Sequence, residues 1–356
     1  MNEIIKNFRV FDEPIYHAPY GNGHINQTFV VERKSKYILQ KINTNTFKNP
    51  DGLMANIVAV TEHLRKKIVE AGGNPERGTL TVIPTLDGKS YYRAEDGSCY
   101  RAYIFIDDAI CYDQVECAEQ LYYAAREFGK FQNMLADFPA DTLFEAIPHF
   151  HDTRDRFRQL TDAIAANKAG RLDSVKAEID FALARECDCG VVLDAIADGT
   201  VPLRVTHNDT KLNNVMLDPK TGEGVCVIDL DTVMPGSLLY DFGDALRFGA
   251  NSGAEDEVDL DKIYFRLDYF EAFVRGFVQE LGKTMTPREI ELLPFSVKLM
   301  TFECGIRFLA DYLNGDTYFR IHRENHNLDR CRTQFKLVAD MESKMDEMKA
   351  IVAKYL

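Results

Sequence analysis

The chain has 356 residues, with 42 basic and 56 acidic side chains and a formal net charge of −14. An acidic excess argues against a nucleic-acid partner. No run approaches the ~18 uninterrupted apolar residues of a membrane span, whereas a hydrophobic content of 46% is that of a globular chain long enough for about two domains. The opening Met-Asn-Glu-Ile-Ile-Lys-Asn-Phe lacks the apolar centre of a signal peptide, so a cytoplasmic protein with no membrane partner is expected. The eight cysteines are sparse. Cys187 and Cys189 lie close together but miss zinc-site spacing, so all are read as reduced thiols.

Residues 20–106 read mostly as short strands: Thr28 to Val31, Tyr37 to Lys41, Thr79 to Pro84, Ser90 to Arg93 and Tyr100 to Ile106, separated by Gly and Asp turns. One helix interrupts them, from about Gly52 to Ala71, where Leu53, Ile57, Val60, Leu64 and Ile68 recur at three- and four-residue spacings. After Asp107 the pattern turns helical, over about 113–136, 153–167, 173–186, 258–280, 287–314 and 325–354. The exception is 203–230, where Leu203-Arg-Val-Thr206, Asn214-Val-Met-Leu217 and Val225-Cys-Val-Ile228 are short β-type runs. These patterns predict an α+β chain of two lobes, a small β-rich N-terminal lobe with one helix over 1–106 and a larger, mainly helical C-terminal lobe over 107–356.

The β-type island contains His207-Asn-Asp209-Thr-Lys211-Leu-Asn-Asn214, followed by Ile228-Asp229-Leu-Asp231. Phosphoryl transfer from a nucleotide needs a carboxylate to orient the attacking hydroxyl and oxygen ligands to hold Mg2+ against the phosphates. Asp209 suits the first task, Asn214 and Asp229 the second. Asp and Asn also form turns without any ligand; the combined spacing carries the signal. Asp231 lies two residues along from Asp229 and is a candidate for a second metal or for bracing a loop.

In the first lobe, Tyr20-Gly21-Asn-Gly23-His24-Ile-Asn26 precedes a strand, and its glycines let backbone amides approach phosphate. An empty hairpin turn explains the same residues. Lys41 on the next strand is the candidate for neutralising the α- and β-phosphates, and Glu62 on the following helix is its candidate partner.

Together these residues resemble the aminoglycoside phosphotransferase and choline kinase superfamily, over nearly the whole chain. The resemblance implies a protein-kinase-like two-lobed fold in which the 1–106 lobe binds nucleotide, the 107–356 lobe carries catalysis and the acceptor site, and the stretch Tyr103-Ile-Phe105-Ile-Asp107 is the hinge whose backbone reads the adenine edge. In that comparison Tyr240-Asp241-Phe242 resembles the family's downstream Asp motif, whose carboxylate braces the catalytic loop. The runs Tyr20 to Asn26, Tyr37-Ile-Leu-Gln40, His149-Phe-His-Asp-Thr153, Leu203 to Asn214, Ile228 to Thr232 and Glu303 to Leu313 resemble the N-acetylhexosamine 1-kinases within it. The resemblance implies phosphorylation of N-acetylglucosamine and N-acetylgalactosamine at the anomeric hydroxyl by ATP with Mg2+. It implies Asp209 as base, Lys211 on the γ-phosphate, and Asn214 and Asp229 on the metal. For the sugar, the candidates are Arg307, Asp311 and Tyr312, with His24 and Asn26 from the Gly turn. Arg307 and Asp311 are also spaced for a simple intrahelical ion pair. The cluster His149, His151 and Asp152 is a further candidate to touch substrate, or plain capping and packing. The partners implied are ATP and a small sugar, with no protein partner.

Two alternatives stay open. A kinase of another small alcohol, such as an aminoglycoside, choline or homoserine, fits the same fold; the acidic run Glu255 to Asp261 suits a cationic acceptor, although a solvated loop and helix start explains it too. A non-catalytic nucleotide-binding pseudokinase is the other, and the presence of Asp209, Asn214, Asp229 and Lys41 argues against it. A protein kinase is poorly supported, since no long activation loop or Ala-Pro-Glu element follows Asp229.

Overall fold

The computed structural model describes residues 1–9, 16–21, 25–32 and 34–356. In chain order these form α1 (Asn2–Ile5), β1 (Tyr16–Pro19), β2 (Gln27–Glu32), β3 (Lys36–Ile42), α2 (Pro50–Glu70), α3 (Pro75–Gly78), β4 (Val82–Ile83), β5 (Tyr92–Arg93) and β6 (Cys99–Ile104). There follow α4 (Ala118–Met134), α5 (Thr153–Ala166), α6 (Lys176–Leu183), α7 (Val191–Ala197), β7 (Arg204–Thr206), β8 (Val215–Leu217), β9 (Gly224–Val227) and β10 (Met234–Gly236). The last helices are α8 (Leu238–Gly249), α9 (Leu267–Leu281), α10 (Pro287–Asn314), α11 (His326–Ser343) and α12 (Met345–Lys354). The architecture is α+β, with a sheet in the N-terminal region and helices in the C-terminal region. No described helix is long and apolar enough to cross a membrane.

Contacts group the chain into two compact units, one of residues 1–111, 134–148 and 214–235, the other of 112–133, 149–213 and 236–356. The first unit thus runs past residue 106 and takes in two later segments. Its antiparallel sheet has the order β1-β2-β3-β6-β4, with β5 also paired to β6. Register decides which side chains meet: Leu39 stands opposite Phe29 and Ala102, and Gln40 opposite Thr28 and Arg101. Tyr37 and Leu39 pack with Val31, Tyr100, Ala102 and Ile5 in one core. Gln40 and Arg101 therefore share the opposite face. Helix α2 begins where the sequence signals it, with the Asn49 side chain accepting the Gly52 N–H at 3.0 Å and Pro50 in the first turn. Leu53, Ile57, Val60, Leu64 and Ile68 form its buried stripe. The hairpin β8–β9 belongs to this unit, bridged by Leu217 to Ile110.

The second unit is helical. A long core runs through α8, α9 and α10, with Phe242 packed edge-on against Phe270, Phe273 and Phe277. Helix α10 is framed by a Thr286/Glu289 capping box and by Gly315 in the left-handed conformation, φ 95°. A Cβ on Gly243 would lie 2.4 Å from the Ser296 carbonyl oxygen, so α8 and α10 meet there backbone to backbone. The expected helix over 258–280 begins only at Leu267, because Ser252 and Asp259 hold the preceding residues in short turns. The segment 325–354 is two helices, broken at Lys344.

Candidate functional site

The motif His207-Asn-Asp209-Thr-Lys211 follows β7 as an irregular loop, and the first turns of α8 hold it. Asp241 accepts the backbone N–H of His207 at 2.9 Å on one carboxylate oxygen and that of Asn208 at 2.7 Å on the other. Its Oδ2 also takes the Gln132 amide at 2.5 Å. One turn on, Asp244 accepts the Thr210 N–H at 3.1 Å, and the Thr210 hydroxyl donates to the Asp241 carbonyl at 2.6 Å. The buried His207 ring is flanked edge-on by Phe128 and Phe131. Asn208 has φ 64°, a conformation that asparagine tolerates better than most residues and that the two bonds to Asp241 impose. The loop thus aims Asp209, whose Oδ1 lies 3.0 Å from the Lys211 ammonium. That carboxylate raises the lysine above its usual pKa. Burial alone would raise Asp244; the Arg247 charge, followed by Lys211 and His151, outweighs it and holds the carboxyl low.

In the other unit, Asn214 and Asp229 sit at the open end of the β8–β9 hairpin, where the Ile228 N–H donates to the Asn214 carbonyl at 2.9 Å. Asp229 has φ 57°. Asp231 is buried and forms an ion pair with Arg101, while its Oδ2 accepts the Asn26 amide at 2.6 Å. Asn26 in turn accepts the Asn43 N–H at 3.0 Å, so its side chain ties loop to strand. The Arg101 Nε donates to Gln40 at 2.9 Å, and the Gln40 amide to Thr28 at 3.1 Å.

Several expected pairings are absent. Lys41 shares the face of Leu39 and places its ammonium 5.9 Å from the Tyr100 ring centroid, on the side of the sheet away from Arg101 and Asp231. Strand alternation puts Gln40, not Lys41, on the Arg101 face. Glu62 lies on the exposed side of α2 and makes no ion pair among the described residues. Gly21 has φ 73° and open space where a Cβ would stand; Gly23 and His24 lie outside the described residues. Tyr103 is buried. The Phe105 N–H donates to Lys36 at 3.2 Å, and the Asp107 carbonyl accepts from Arg77.

On α10, Arg307 and Asp311 line a cavity of about 380 Å³ with Arg156, Gln159 and Tyr318. They do not pair with each other. Asp311 instead accepts the backbone N–H groups of Thr317, Tyr318 and Phe319, each at 2.9 Å, and folds that loop. Tyr312 is turned away, its hydroxyl donating to Asn325 at 3.0 Å. Tyr318, 72% exposed, lines the cavity in its place. Arg307 lies near the Phe150 and Phe319 rings and forms no ion pair among the described residues.

A family model, the phosphotransferase enzyme family (APH), matches residues 17–280. The chain belongs to this family. Its fold is likewise that of an aminoglycoside phosphotransferase from Alicyclobacillus acidocaldarius, with a TM-score of 0.66 at 12% identity over 99% of this chain and 96% of that one. It is also similar to a microcompartment-associated aminopropanol kinase, with a TM-score of 0.64 at 14% identity over 98% and 97% of the two chains. An amicoumacin kinase in complex with AMP-PNP and Ca2+ gives 0.61 at 12% identity over 95% and 91%. In this phosphotransferase, sequence reasoning passed over Arg101, Asp244 and Tyr318. Arg101 reads as one more polar residue in a strand, Asp244 as one more carboxylate close to Asp241, and Tyr318 stands in a loop after a Gly.

Proposed function

We propose that this phosphotransferase transfers the γ-phosphoryl group of ATP to the anomeric hydroxyl of N-acetylglucosamine and N-acetylgalactosamine, giving the sugar 1-phosphate. The observation that carries the transfer is the Asp209 carboxylate, projecting from a loop whose backbone is bonded to Asp241 and Asp244 and paired with Lys211. The acceptor oxygen forms a bond to the γ-phosphorus as the bond to the β–γ bridging oxygen breaks, and the hydroxyl proton passes to Asp209. Lys211 follows the charge on the transferred group. Fixing both groups before substrate arrives supplies most of the rate, since phosphoryl transfer depends chiefly on positioning and charge neutralisation.

Asn214 and Asp229 offer the hard oxygen donors that suit Mg2+, on neighbouring positions of one hairpin. A Mg2+ ion bound by these two residues would supply charge neutralisation at the phosphates. The Phe105 carbonyl and Asp107 N–H, two residues apart, match the donor and acceptor of adenine's edge, and Gly21 leaves its backbone open to phosphate. For the sugar, Arg307 and Tyr318 line a cavity of about 380 Å³, a size that suits a small molecule. The choice of N-acetylhexosamine rests on the ordered runs that resemble the N-acetylhexosamine 1-kinases. A cationic acceptor finds less support: within the acidic run, Glu255 is bonded to Arg247, and Asp256 to Arg323 and His326.

The test is ADP release with MgATP across N-acetylglucosamine, N-acetylgalactosamine, glucose, galactose, choline and kanamycin, with phosphorus NMR of the product and Asp209→Asn as control. Turnover of the two N-acetylhexosamines to an anomeric phosphate is expected. Activity on choline or kanamycin alone overturns the acceptor.

A further inference from the structure

His151 is buried just before α5, and each of its ring nitrogens faces an acceptor. Nδ1 lies 2.9 Å from a carboxylate oxygen of Glu303, and Nε2 lies 3.1 Å from the backbone carbonyl of Asn208. A neutral imidazole has one N–H and can satisfy only one of them; both are satisfied when both nitrogens carry protons. Glu303 supplies the matching negative charge and is itself buried, with the Thr153 hydroxyl donating to its second oxygen at 2.5 Å. Asn208 is the residue before Asp209 and the one with φ 64°.

We propose that His151 is a positioning residue for phosphoryl transfer: held as an imidazolium between Glu303 and the Asn208 carbonyl, it fixes the peptide from which Asp209 projects. The inference rests on Asp209 as the base. Asp241 grips the N–H side of Asn208, and His151 grips its carbonyl side, so that one strained residue is held from α8 and from α10 through His151. The other titratable and charged groups around the ring are Asp244 and Tyr240 of α8, whose phenol ring centroid lies 5.2 Å from it, with Arg307 one turn beyond Glu303 and Arg156 on α5 acting on Glu303. Burial alone would lower His151; Glu303, with a smaller contribution from Asp244, outweighs it and raises the imidazole above its ordinary value.

The experiment compares wild type with Glu303→Gln, His151→Gln and the milder Thr153→Val, measuring kcat and the KM for ATP from pH 6 to 9 alongside melting temperature, with Asp209→Asn as the silent reference. Nitrogen-15 NMR of histidine-labelled wild type, with His151 assigned through its contacts to the Phe150 and Tyr240 rings, reads its ring protons directly. Two ring protons at pH 7 are expected. Glu303→Gln is expected to lower kcat roughly tenfold to a hundredfold, the scale of a small misplacement of a catalytic group. The KM for ATP stays unchanged, and the alkaline limb of kcat moves to lower pH. Thr153→Val shows the same split at smaller amplitude. A single ring proton at pH 7, or folded variants with a lowered melting temperature but unaltered kcat and limb, overturns the proposal. A wild type silent on every acceptor but with both ring protons overturns the functional reading instead.

Discussion

Arg101 and Asp231, 1% and 3% exposed, form a buried ion pair in the sheet-bearing unit, and each has a second polar tie, Arg101 to Gln40 and Asp231 to Asn26. Burial alone would lower the guanidinium, and the Asp231 charge more than offsets it. Removing one member strands the other without compensation, at a cost of about 3–5 kcal/mol. Arg101→Met is therefore expected to lower the urea midpoint sharply, and the double variant Arg101→Met, Asp231→Leu to recover much of the loss, because an apolar pair can replace an ion pair. Equal destabilisation of single and double variants would contradict this.

Asp209→Asn keeps the size of the side chain and removes its proton affinity. Turnover is expected to fall roughly 10²–10⁴-fold, the range for a general base. Calorimetric titration with ADP should show affinity close to that of wild type. Loss of both together would point to a collapsed loop.

The face occupied by Lys41 separates it from Gln40. Lys41→Met is expected to change the KM for ATP by no more than about twofold, as for a surface substitution. Gln40→Ala should act on stability, since it removes the acceptor of the Arg101 Nε. A large rise in the KM for ATP with Lys41→Met would show that the strand phase is misjudged.

Tyr318 stands on the rim of the cavity that Arg307 lines. Tyr318→Ala should raise the KM for the sugar while leaving kcat and the KM for ATP near wild type, the mark of contacts made equally in ground and transition states. A fall in kcat alone would place the residue in the chemistry instead.

Stability should depend on pH through Glu303 and His151. Burial alone would raise Glu303, but the His151 charge and the bonds from His151 and Thr153 outweigh it and hold the carboxyl low. Its contribution is present above the unfolded carboxyl value, about 4.3, and is lost as pH falls through the folded one. His151 is raised, so its contribution is complete below the unfolded imidazole value, about 6.5, and is lost as pH rises through the folded one. The melting temperature should thus be highest between those limits, and His151→Gln, Glu303→Gln should flatten the profile. An unchanged profile in the double variant would refute the assignment.

The parts of the fold that follow local rules were legible. Asn49-Pro50 and the stripe from Leu53 to Ile68 announce α2, and Thr286-Pro-x-Glu289 with Gly315 frames α10. The loop His207 to Asn214 stood out because its polar residues are compressed into eight positions. Helix α8 was passed over although Asp241, Asp244 and Arg247 recur at three-residue spacing in an otherwise apolar segment; every residue from Leu238 to Arg247 is buried, so that polar stripe faces the loop after β7 rather than solvent. Lys41 shares the face of Tyr37 and Leu39, because odd positions of β3 face that core, and this phase is already visible in the strand's own sequence. Asp311 and Tyr312 follow Arg307 on one helix, yet loop folding claims one and Asn325 the other. Sequence spacing cannot display such tertiary claims on a side chain.

The cavity walls around Arg307 come largely from the open side of α5 and from the loop 317–319, through Gln159, Lys168 and Tyr318. The loop that bears Asp209 is anchored elsewhere, by Asp241, Asp244 and His151. In the proposed function the former select the alcohol and the latter hold Asp209, so substitutions among the former are expected to change the acceptor without disturbing the latter. Such modularity lets one ancestral scaffold diversify its acceptor repertoire in small, individually tolerable steps.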